Sequence, residues 1–503
     1  MTAPAPPAPA LTDAARALLR GTLDAYRDRP DTVRLLRRHL QRLDEPLRVA
    51  VAGRIKAGKS TLLNALVGER VAPTDAGECT KVVTWFRDGH APRIVMHPRT
   101  GAPVPLTVRR DDGALVIDLG DTPAATLDRI VVDWPSQNLR ATTLIDTPGI
   151  ASLTAENSRR TVAFLDPDDE TPSEADAVVY LMRHLHTADA DFLESFRDGP
   201  DGGVARATAV NTVAVLSRAD EIGAGRVDAM FSARAIAQRY RAEPAVRGLC
   251  QNVVAVAGLL AETGATLGQA EYHALAGLAA GPRADLDHSL VSVDRFLRAG
   301  ARPGDGDGAA DPVRAALLAR FGLFGIRLSA SLIRQGADSP AALAAELVTR
   351  SGLPELRKVL QVQFSERRDL LKARSALLAL DGVLRGDPRR AGPLARDLER
   401  LLAGAHEFTE LRTLGALRTG AAGLPRPLAE EAERLLGDAG AASTARLGLP
   451  DDADPGALRS TASAALQRWQ RHAVNPMYPR QAADACRVVV RTCEGLLAGL
   501  HGR

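Results

Sequence analysis

Residues 46–68 read PLRVAVAGRIKAGKSTLLNALVG, and the fold follows from how this stretch is read. PLRVAVAG is a short apolar run of the kind that makes a buried strand, and KSTLLNALVG carries helical periodicity. Between them stands G-x-x-x-x-G-K-[ST], completed by Gly53, Gly58, Lys59 and Ser60. Strand, glycine-rich turn and helix in that order make a phosphate-binding loop. Its backbone N–H groups and the helix N-terminus face the anion, while the lysine ammonium reaches the β- and γ-phosphates. The residues expected to wrap a bound nucleotide's phosphates are Gly53, Ala57, Gly58, Lys59, Ser60 and Thr61.

The same stretch holds a second lysine, Lys56, in a chain that hardly uses the residue. Of 64 basic residues only Lys56, Lys59, Lys81, Lys358 and Lys372 are lysine; the rest are arginine. An arginine fork would not replace the compact ammonium of Lys59 on the phosphates. Lys56 has no such reason to be lysine.

The whole chain sets the bounds. Its 503 residues exceed a single core, so two or three domains are expected. Composition is that of a globular protein, with 45% apolar and 25% charged residues. The net charge of +3 does not force a nucleic-acid partner. Cys79, Cys250, Cys486 and Cys493 lack metal spacing and read as reduced thiols of a cytosolic protein without a signal peptide. No run approaches 18 apolar residues, so no membrane-spanning helix is expected and any membrane contact is peripheral, at the inner face.

Along the chain, TAPAPPAPA (2–10) belongs to a disordered leader, 1–10. Residues 11–45 are helical and have no core of their own, so they are assigned to a helical bundle built from both chain ends. A mainly parallel sheet is expected from the strands at 46–53, 142–149, 175–182, 211–220 and 251–258. PRIVMH, PLTVRR, ALVIDL and RIVVDW, between 91 and 134, read as a β-meander inserted at its edge. The nucleotide domain spans 46–283, a hinge and linker containing GARPGDGDGAADP covers 284–312, and 313–503 forms an elongated all-α bundle serving as neck and trunk. Within it, 354–384 has no internal Pro and predicts a helix of roughly 45 Å. RGDPRRAGP (385–393) breaks it, and the two helices form a stalk.

Later motifs select the nucleotide. Asp146-Thr147-Pro148-Gly149 ends a strand, which offers a carboxylate for water-mediated Mg²⁺ binding and the Gly149 N–H for the γ-phosphate. Thr80, in GECTKVVTW, is the candidate to complete Mg²⁺ coordination alongside Ser60, with Thr74 and Thr84 as competitors. Two strands on, Ser217-Arg218-Ala219-Asp220 supplies a carboxylate able to accept both hydrogens of guanine N1 and its exocyclic amine. Adenine has no such pair, so Asp220 selects GTP over ATP. The usual motif is [NT]-K-x-D. Here Arg218 lays its stem on the base plane, and Ser217 is a shorter tether than Asn. Ala257 and Gly258 form the last base-contacting loop, where a backbone N–H meets guanine O6.

GRIKAGKSTLLNALVG, PTDAGECTKVVTWFR and DWPSQNLRATTLIDTPG, followed by a long helical C-terminus, resemble the dynamin-like GTPases of bacteria. The isoniazid-inducible dynamin-like group of actinomycetes is similar again at SRADEIGAGRVDAM, LLARFGLFGIRLS and RSGLPELRKVL. The resemblance implies an α/β P-loop GTPase head on a helical neck and trunk. It also implies GTP and Mg²⁺ as ligands and membrane remodelling through head dimerisation, with self-association or a paralogous partner. The group is associated with envelope stress, and paired relatives with septation. Two departures stand out. Ile150 follows DTPG where Ras-type enzymes place a water-orienting Gln. Ile55 and Lys56 replace the polar pair that holds catalytic water and a monovalent cation in dynamin-type loops. Lys56 therefore reads either as a built-in cation or as a solvent-facing lysine. Lys59, Thr80, Lys56 and Gly149 are the candidate catalytic set.

Other features have plainer readings. Lys81 is switch-loop surface or a phosphate contact. His184 and His186 lack a third ligand at metal spacing. FGLFGIRLS (321–329) is a core helix before it is a lipid insert, and RGDPRRAGP is the better membrane candidate, against a solvated interhelical loop. A GTP-gated scaffold subunit with little hydrolysis of its own is the alternative to a GTPase. A ribosome-assembly GTPase is disfavoured because no RNA-binding module or basic tail is visible.

Overall fold

The computed structural model describes residues 11–74, 81–148, 175–184, 211–299 and 311–501. Thr80, Gly149, Ile150, His186 and Cys79 lie outside them. Among the described residues, nine strands form one sheet: β1 (Leu47–Gly53), β2 (Val83–Asp88), β3 (Arg93–Pro98), β4 (Val104–Leu106), β7 (Leu127–Trp134), β8 (Thr142–Asp146), β9 (Ala177–Met182), β10 (Thr212–Ser217) and β11 (Asn252–Val256). Their order is β11-β10-β9-β1-β8-β2-β7-β3-β4. A separate hairpin pairs β5 (Arg109–Asp111) with β6 (Ala114–Val116).

The five strands from β11 to β8 run parallel. Alternation along them fills both faces. In β1, Val49 and Val51 enter one core while Ala50 and Ala52 enter the other. Burial on two sides explains their unbroken apolar runs.

The other wing is not a meander. β2 pairs antiparallel with β8 and parallel with β7, and β7 lies between β2 and β3. The chain leaves the sheet after β4, forms the small hairpin, and returns to insert β7. β2 lies in the stretch read from sequence as a switch segment, so its place as a strand was not foreseen.

The boundary expected at 313 is also displaced. α5 (Pro312–Arg334), α6 (Pro340–Arg350) and α7 (Leu353–Leu360) contribute buried residues to the head's two cores, so the head continues to about residue 360. α5 is also, by length and composition, the one helix among the described residues apolar enough to cross a membrane. Its Leu317, Phe321, Phe324, Ile326, Ala330 and Leu332 are buried in the head. Arg320 on the same helix reaches Glu271 at 2.7 Å. The core-helix reading of FGLFGIRLS fits this placement.

The 31-residue helix is divided. A π-helical turn, Gln361–Ser365, separates α7 from α8 (Arg368–Gly386). Gln363 there donates to the Asp438 carbonyl at 2.6 Å, and Arg367 donates to Gly437. These buried polar ties across to a distant segment accompany the break in the α-helical ladder. RGDPRRAGP is not a loop either. α9 (Pro388–Gly404) begins inside it, with Pro388 in the first turn, where a missing N–H costs nothing.

α1 (Leu11–Ala25) and α2 (Pro30–Arg42) pack with α8 and α9 around Leu19, Tyr26, Leu36, Leu377 and Leu380. A second helical module follows: α10 (His406–Arg418), α11 (Arg426–Leu435), α12 (Pro455–Ala473) and α13 (Arg480–His501), closed around Trp469. The first module is fixed to the head where α2 meets β1. Arg42 pairs with Asp176 at 2.8 Å, both side chains buried, and Asp176 also accepts from the Arg48 amide at 2.9 Å. Lys372 donates to the carbonyls of Arg42, Leu43 and Glu45, which caps the end of α2.

His39 sits inside this joint. Burial, with Arg42, Arg38 and Arg48 adding to it, pushes its imidazole down to about 3. The unfolded chain therefore binds a proton below about 6.5 that the folded one refuses, and stability falls with acidification from there to about pH 3. Between pH 7 and 5 this group alone should cost about 2 kcal/mol. His39→Gln should flatten that part of the denaturation profile measured at the two pH values. An unchanged pH dependence would assign the loss to other groups.

Candidate functional site

Parallel strands place their carboxyl ends, and the loops that follow, along one edge. In register, Gly53 lies opposite Leu181, Val51 opposite Asp146, and Ser217 opposite Val256. The phosphate loop, the Asp146 turn, the Arg218–Asp220 segment and the Ala257–Gly258 turn therefore share one end of the sheet.

The loop between β1 and α3 (Lys59–Val67) needs unusual backbone. Gly58, the helix N-cap, has φ 91°, and Gly53 has φ 147°. A Cβ on Gly53 would stand 2.5 Å from the Leu181 carbonyl oxygen. Both glycines are required by close approach and chain reversal. Lys56 is the exception, an L-residue at φ 62°. It is exposed, and among the described residues no hydrogen bond or ion pair engages it. Ile55 beside it is also exposed.

Lys59 folds over the loop, its Nζ donating to the carbonyls of Gly53 at 3.2 Å and Arg54 at 3.3 Å. Burial pulls the ammonium below its ordinary value, and the Asp146 charge opposes this. Ser60 donates its hydroxyl proton to Asp146 Oδ2 at 2.8 Å. Asp146 Oδ1 is buried without a hydrogen-bond partner. Burial raises the Asp146 carboxyl, with Lys59 and Ser60 pulling the other way. A hydroxyl and an unsatisfied carboxylate oxygen, both on rigid elements, form a donor set suited to a hard divalent cation such as Mg²⁺. The residues present fit that ion. Thr147 turns its hydroxyl to the Val51 carbonyl at 3.0 Å, fastening the turn after Asp146 to β1.

Of the threonines competing with Thr80, Thr84 lies within β2 and donates to the Val82 carbonyl at 3.3 Å. Thr74 is exposed just ahead of the undescribed segment, and Lys81 is exposed just after it. His184 is exposed, and among the described residues no three His, Cys, Asp or Glu side chains form a metal cluster.

On the base side, burial raises the Asp220 carboxyl; Glu221 adds to this, while Arg218 and Arg183 oppose it. Arg218 takes a left-handed conformation (φ 52°) that turns the chain after β10, and its guanidinium contacts Glu221 at 2.6 Å. Ser217 differs from expectation. Its hydroxyl donates to the Met182 carbonyl at 3.2 Å, tying β10 to β9 instead of tethering the phosphate loop.

The last base loop differs too. Ala257 N–H donates to the Ser351 carbonyl at 2.9 Å, so that amide is engaged within the protein. Gly258, at the first position of α4 (Gly258–Ala265), retains the loop's orphan N–H. An ideal Cβ on Gly258 would lie 3.8 Å from Thr61 Cγ2, which sets this turn beside the phosphate-loop helix.

Two supporting groups were not singled out from sequence. Asn64, on the buried face of α3, accepts from Val71 N at 2.9 Å and Ala72 N at 2.7 Å and returns a bond to Ala72 O at 3.0 Å. It fixes the point where the chain departs toward Thr80. An Asn among the leucines of KSTLLNALVG was the available signal. Ser351–Gly352 presses on the end of β11, where a Cβ on Gly352 would meet the Ala255 carbonyl at 2.1 Å.

Residues 49–201 match the Dynamin family. Over 98% of this chain and 99% of its own length, the isoniazid-induced protein IniC of Mycobacterium tuberculosis is 44% identical. The isoniazid-induced protein IniA of the same organism is 32% identical over 31% of this chain and 24% of its own. A solved oligomerised bacterial dynamin pair, described for long-range sensing and tethering of membranes, aligns over 100% of this chain and 76% of its own with 12% identity and a TM-score of 0.35.

Proposed function

The chain belongs to the dynamin family, and from that premise we propose that it is a dynamin-like GTPase. In this reading it hydrolyses GTP and couples turnover to self-association, or to pairing with a paralogous dynamin-like protein, at an anionic membrane during envelope or septum maintenance. The observation that carries the chemistry is the Ser60–Asp146 pair beside Lys59, with Asp146 Oδ1 buried and unsatisfied.

Lys59, with the amides of Gly58, Ser60 and Thr61, holds the phosphates, while the Ala57 amide donates to the Arg54 carbonyl at 3.1 Å and shapes the loop. Ser60, Asp146 and Thr80 hold Mg²⁺, which when bound supplies positive charge against that developing on the transferred phosphoryl group. The Gly149 N–H, outside the described residues, is assigned to the γ-phosphate. Asp220 accepts from the guanine edge, Arg218 covers the base plane, and Gly258 offers the remaining N–H. Lys56 places its ammonium at the phosphates in the role of a monovalent cation. Its exposed ammonium, engaged by no other group among the described residues, is free to take that role or to face solvent, and turnover compared in sodium and potassium separates the two.

The test is GTP turnover by the full chain with Mg²⁺: alone, with anionic vesicles, and with a paralogous dynamin-like chain. Turnover by the chain itself, raised by vesicles, supports the reading. Turnover seen only with the second chain assigns it instead as a GTP-gated scaffold subunit. A cation at this step is worth about 10³–10⁵ in rate. Lys56→Ser should therefore lower turnover in sodium and restore part of it in potassium. Equal rates for both proteins in both salts would remove the role from Lys56.

A further inference from the structure

The two most exposed large apolar side chains among the described residues are Met477 (84%) and Val474 (79%). Both stand on the corner that joins α12 to α13, in the sequence AVNPMYPR. Apolar groups are normally left this open on a mobile tip. Here the corner is built. The Asn475 side chain accepts from Met477 N at 3.0 Å, Tyr478 N donates to the Asn475 carbonyl at 3.2 Å, and Asn475 N donates to the His472 carbonyl at 3.2 Å. Tyr478 stacks on His472 with ring centroids 5.9 Å apart and meets its Nδ1 at 3.2 Å, and His472 lies against buried Trp469. Pro479 packs against Gly423 in the turn after α10. Val474 and Met477 thus stand exposed on a turn fixed by Asn475, His472, Tyr478 and Pro479.

The sequence through the corner carries charge of one sign. From Pro455 to Ala483 there is no Asp or Glu, while Arg459, Arg468, Arg471 and Arg480 fall in that span. Arg471 and Arg480 flank the corner directly. Arg480 is fully open to solvent and meets only Asp484, at 3.9 Å, on its own helix. Arg468, further down α12, is engaged by Glu431. A pair of exposed apolar side chains flanked by two arginines suits a bilayer interface: the apolar groups enter the headgroup–acyl boundary while the arginines stay with anionic headgroups. A groove would suit a peptide better.

In the stretch expected from sequence to make this contact, two of the three arginines are occupied, and Arg389 is exposed. Arg390 is bonded twice to Asp28, at 2.5 and 2.8 Å, and lies over Tyr26; Arg385 pairs with Asp381 at 2.7 Å.

We propose that the α12–α13 corner, through Val474 and Met477 with Arg471 and Arg480, is the site by which this chain inserts into an anionic lipid surface. The inference rests on the membrane part of the function proposed above. It places the contact on the second helical module, next to the turn whose preceding residue, Arg418, touches the head.

The test is co-sedimentation of the full chain with phosphatidylcholine vesicles, with and without phosphatidylglycerol. The comparison is between wild type and the double variant Val474→Ser/Met477→Ser, both changes being on exposed side chains. Wild type should bind the phosphatidylglycerol vesicles, and the double variant should bind roughly tenfold or more weakly with an unchanged thermal unfolding profile. Met477→Trp should shift its fluorescence to the blue on adding the same vesicles, since Trp85, Trp134 and Trp469 are buried and give a steady background. If wild type and double variant bind equally, the membrane reading stands and the corner is the wrong site. If wild type binds no vesicle, both fall. Concentration-dependent dimerisation lost in the double variant, without vesicle binding, overturns the proposal in favour of a second copy of the chain.

Discussion

Asp146→Asn is expected to stabilise the nucleotide-free protein and, in the same molecule, to remove Mg²⁺-dependent GTP turnover. The carboxylate is buried, one oxygen satisfied by Ser60 and the other without a partner. An unsatisfied buried polar atom costs about 1–3 kcal/mol, and more when charged. The amide keeps an acceptor for the Ser60 hydroxyl and removes the buried charge, while its NH2 takes the position where Oδ1 had no partner, so a gain of up to about 1 kcal/mol in unfolding free energy is expected near neutral pH. The sign of the pH effect is testable. Because burial raises the folded-state pKa of Asp146, the native protein retains a proton that the unfolded chain has already released. Stability contributed here declines as pH rises from the ordinary carboxylate value through the raised one. The gap between variant and wild type should then widen with pH and close in acid. Turnover should fall by about 10²–10³ or more, the scale seen when one preorganised electrostatic group is lost. Chemical denaturation at several pH values, with and without Mg²⁺·GTP, reads both halves. A variant less stable than wild type at every pH would contradict the account of a strained, cation-seeking carboxylate.

This trade of stability against site chemistry was legible in the sequence only in part. The strand, glycine turn and helix around Lys59 specify their own geometry, so the loop itself followed from local pattern alone. Neighbour relations did not. Nothing in the alternation of VTWFRD or RIVVDW says that β7 inserts between β2 and β3, because a strand's pattern reports which faces are buried and not which strand lies beside it. The helices of 312–360 likewise show an apolar stripe that could cover a bundle or a sheet; only the packing of Phe321 and Leu356 reveals the latter. Backbone donors were the least legible. That the Ala257 amide serves Ser351, some ninety residues away in sequence, depends wholly on tertiary contact. The Gly/Pro content of 385–393 misled for a different reason, since Pro388 occupies a helix start, where it is favoured.

Arg418→Ala should release the second helical module from the head. The guanidinium is buried and donates to the Cys250 carbonyl at 3.0 Å, to the Gln251 carbonyl, and to Asp438 at 2.8 Å. Truncation leaves two carbonyls and a carboxylate without their donor, a loss of about 3–5 kcal/mol for a buried charged partner. Arg247, paired with Glu433 at 2.5 Å, is an ion pair across the same contact, whereas the Arg418–Asp438 pair lies within the helical module. With Arg418 gone, the ties of Gln363, Arg367 and Arg247 to the module remain, so the expected result is a thermal transition that broadens or splits, with a rise in the radius of gyration. Because both arginines secure one interface, Arg247→Ala added to Arg418→Ala should cost less than the sum of the two single losses. A single transition shifted by less than about 1 kcal/mol would show that the modules are held by apolar contact alone. The position of the contact gives the result its interest. Cys250 and Gln251 lead into β11, whose five residues span roughly 17 Å to the turn carrying Ala257 and Gly258. One end of that strand is gripped by the helical module and the other lies beside Thr61 of the phosphate-loop helix. A rigid parallel strand is thus the shortest covalent path by which a change at the nucleotide edge reaches the helices. Loss of Arg418 should uncouple the two ends while leaving Lys59, Ser60 and Asp146 in place.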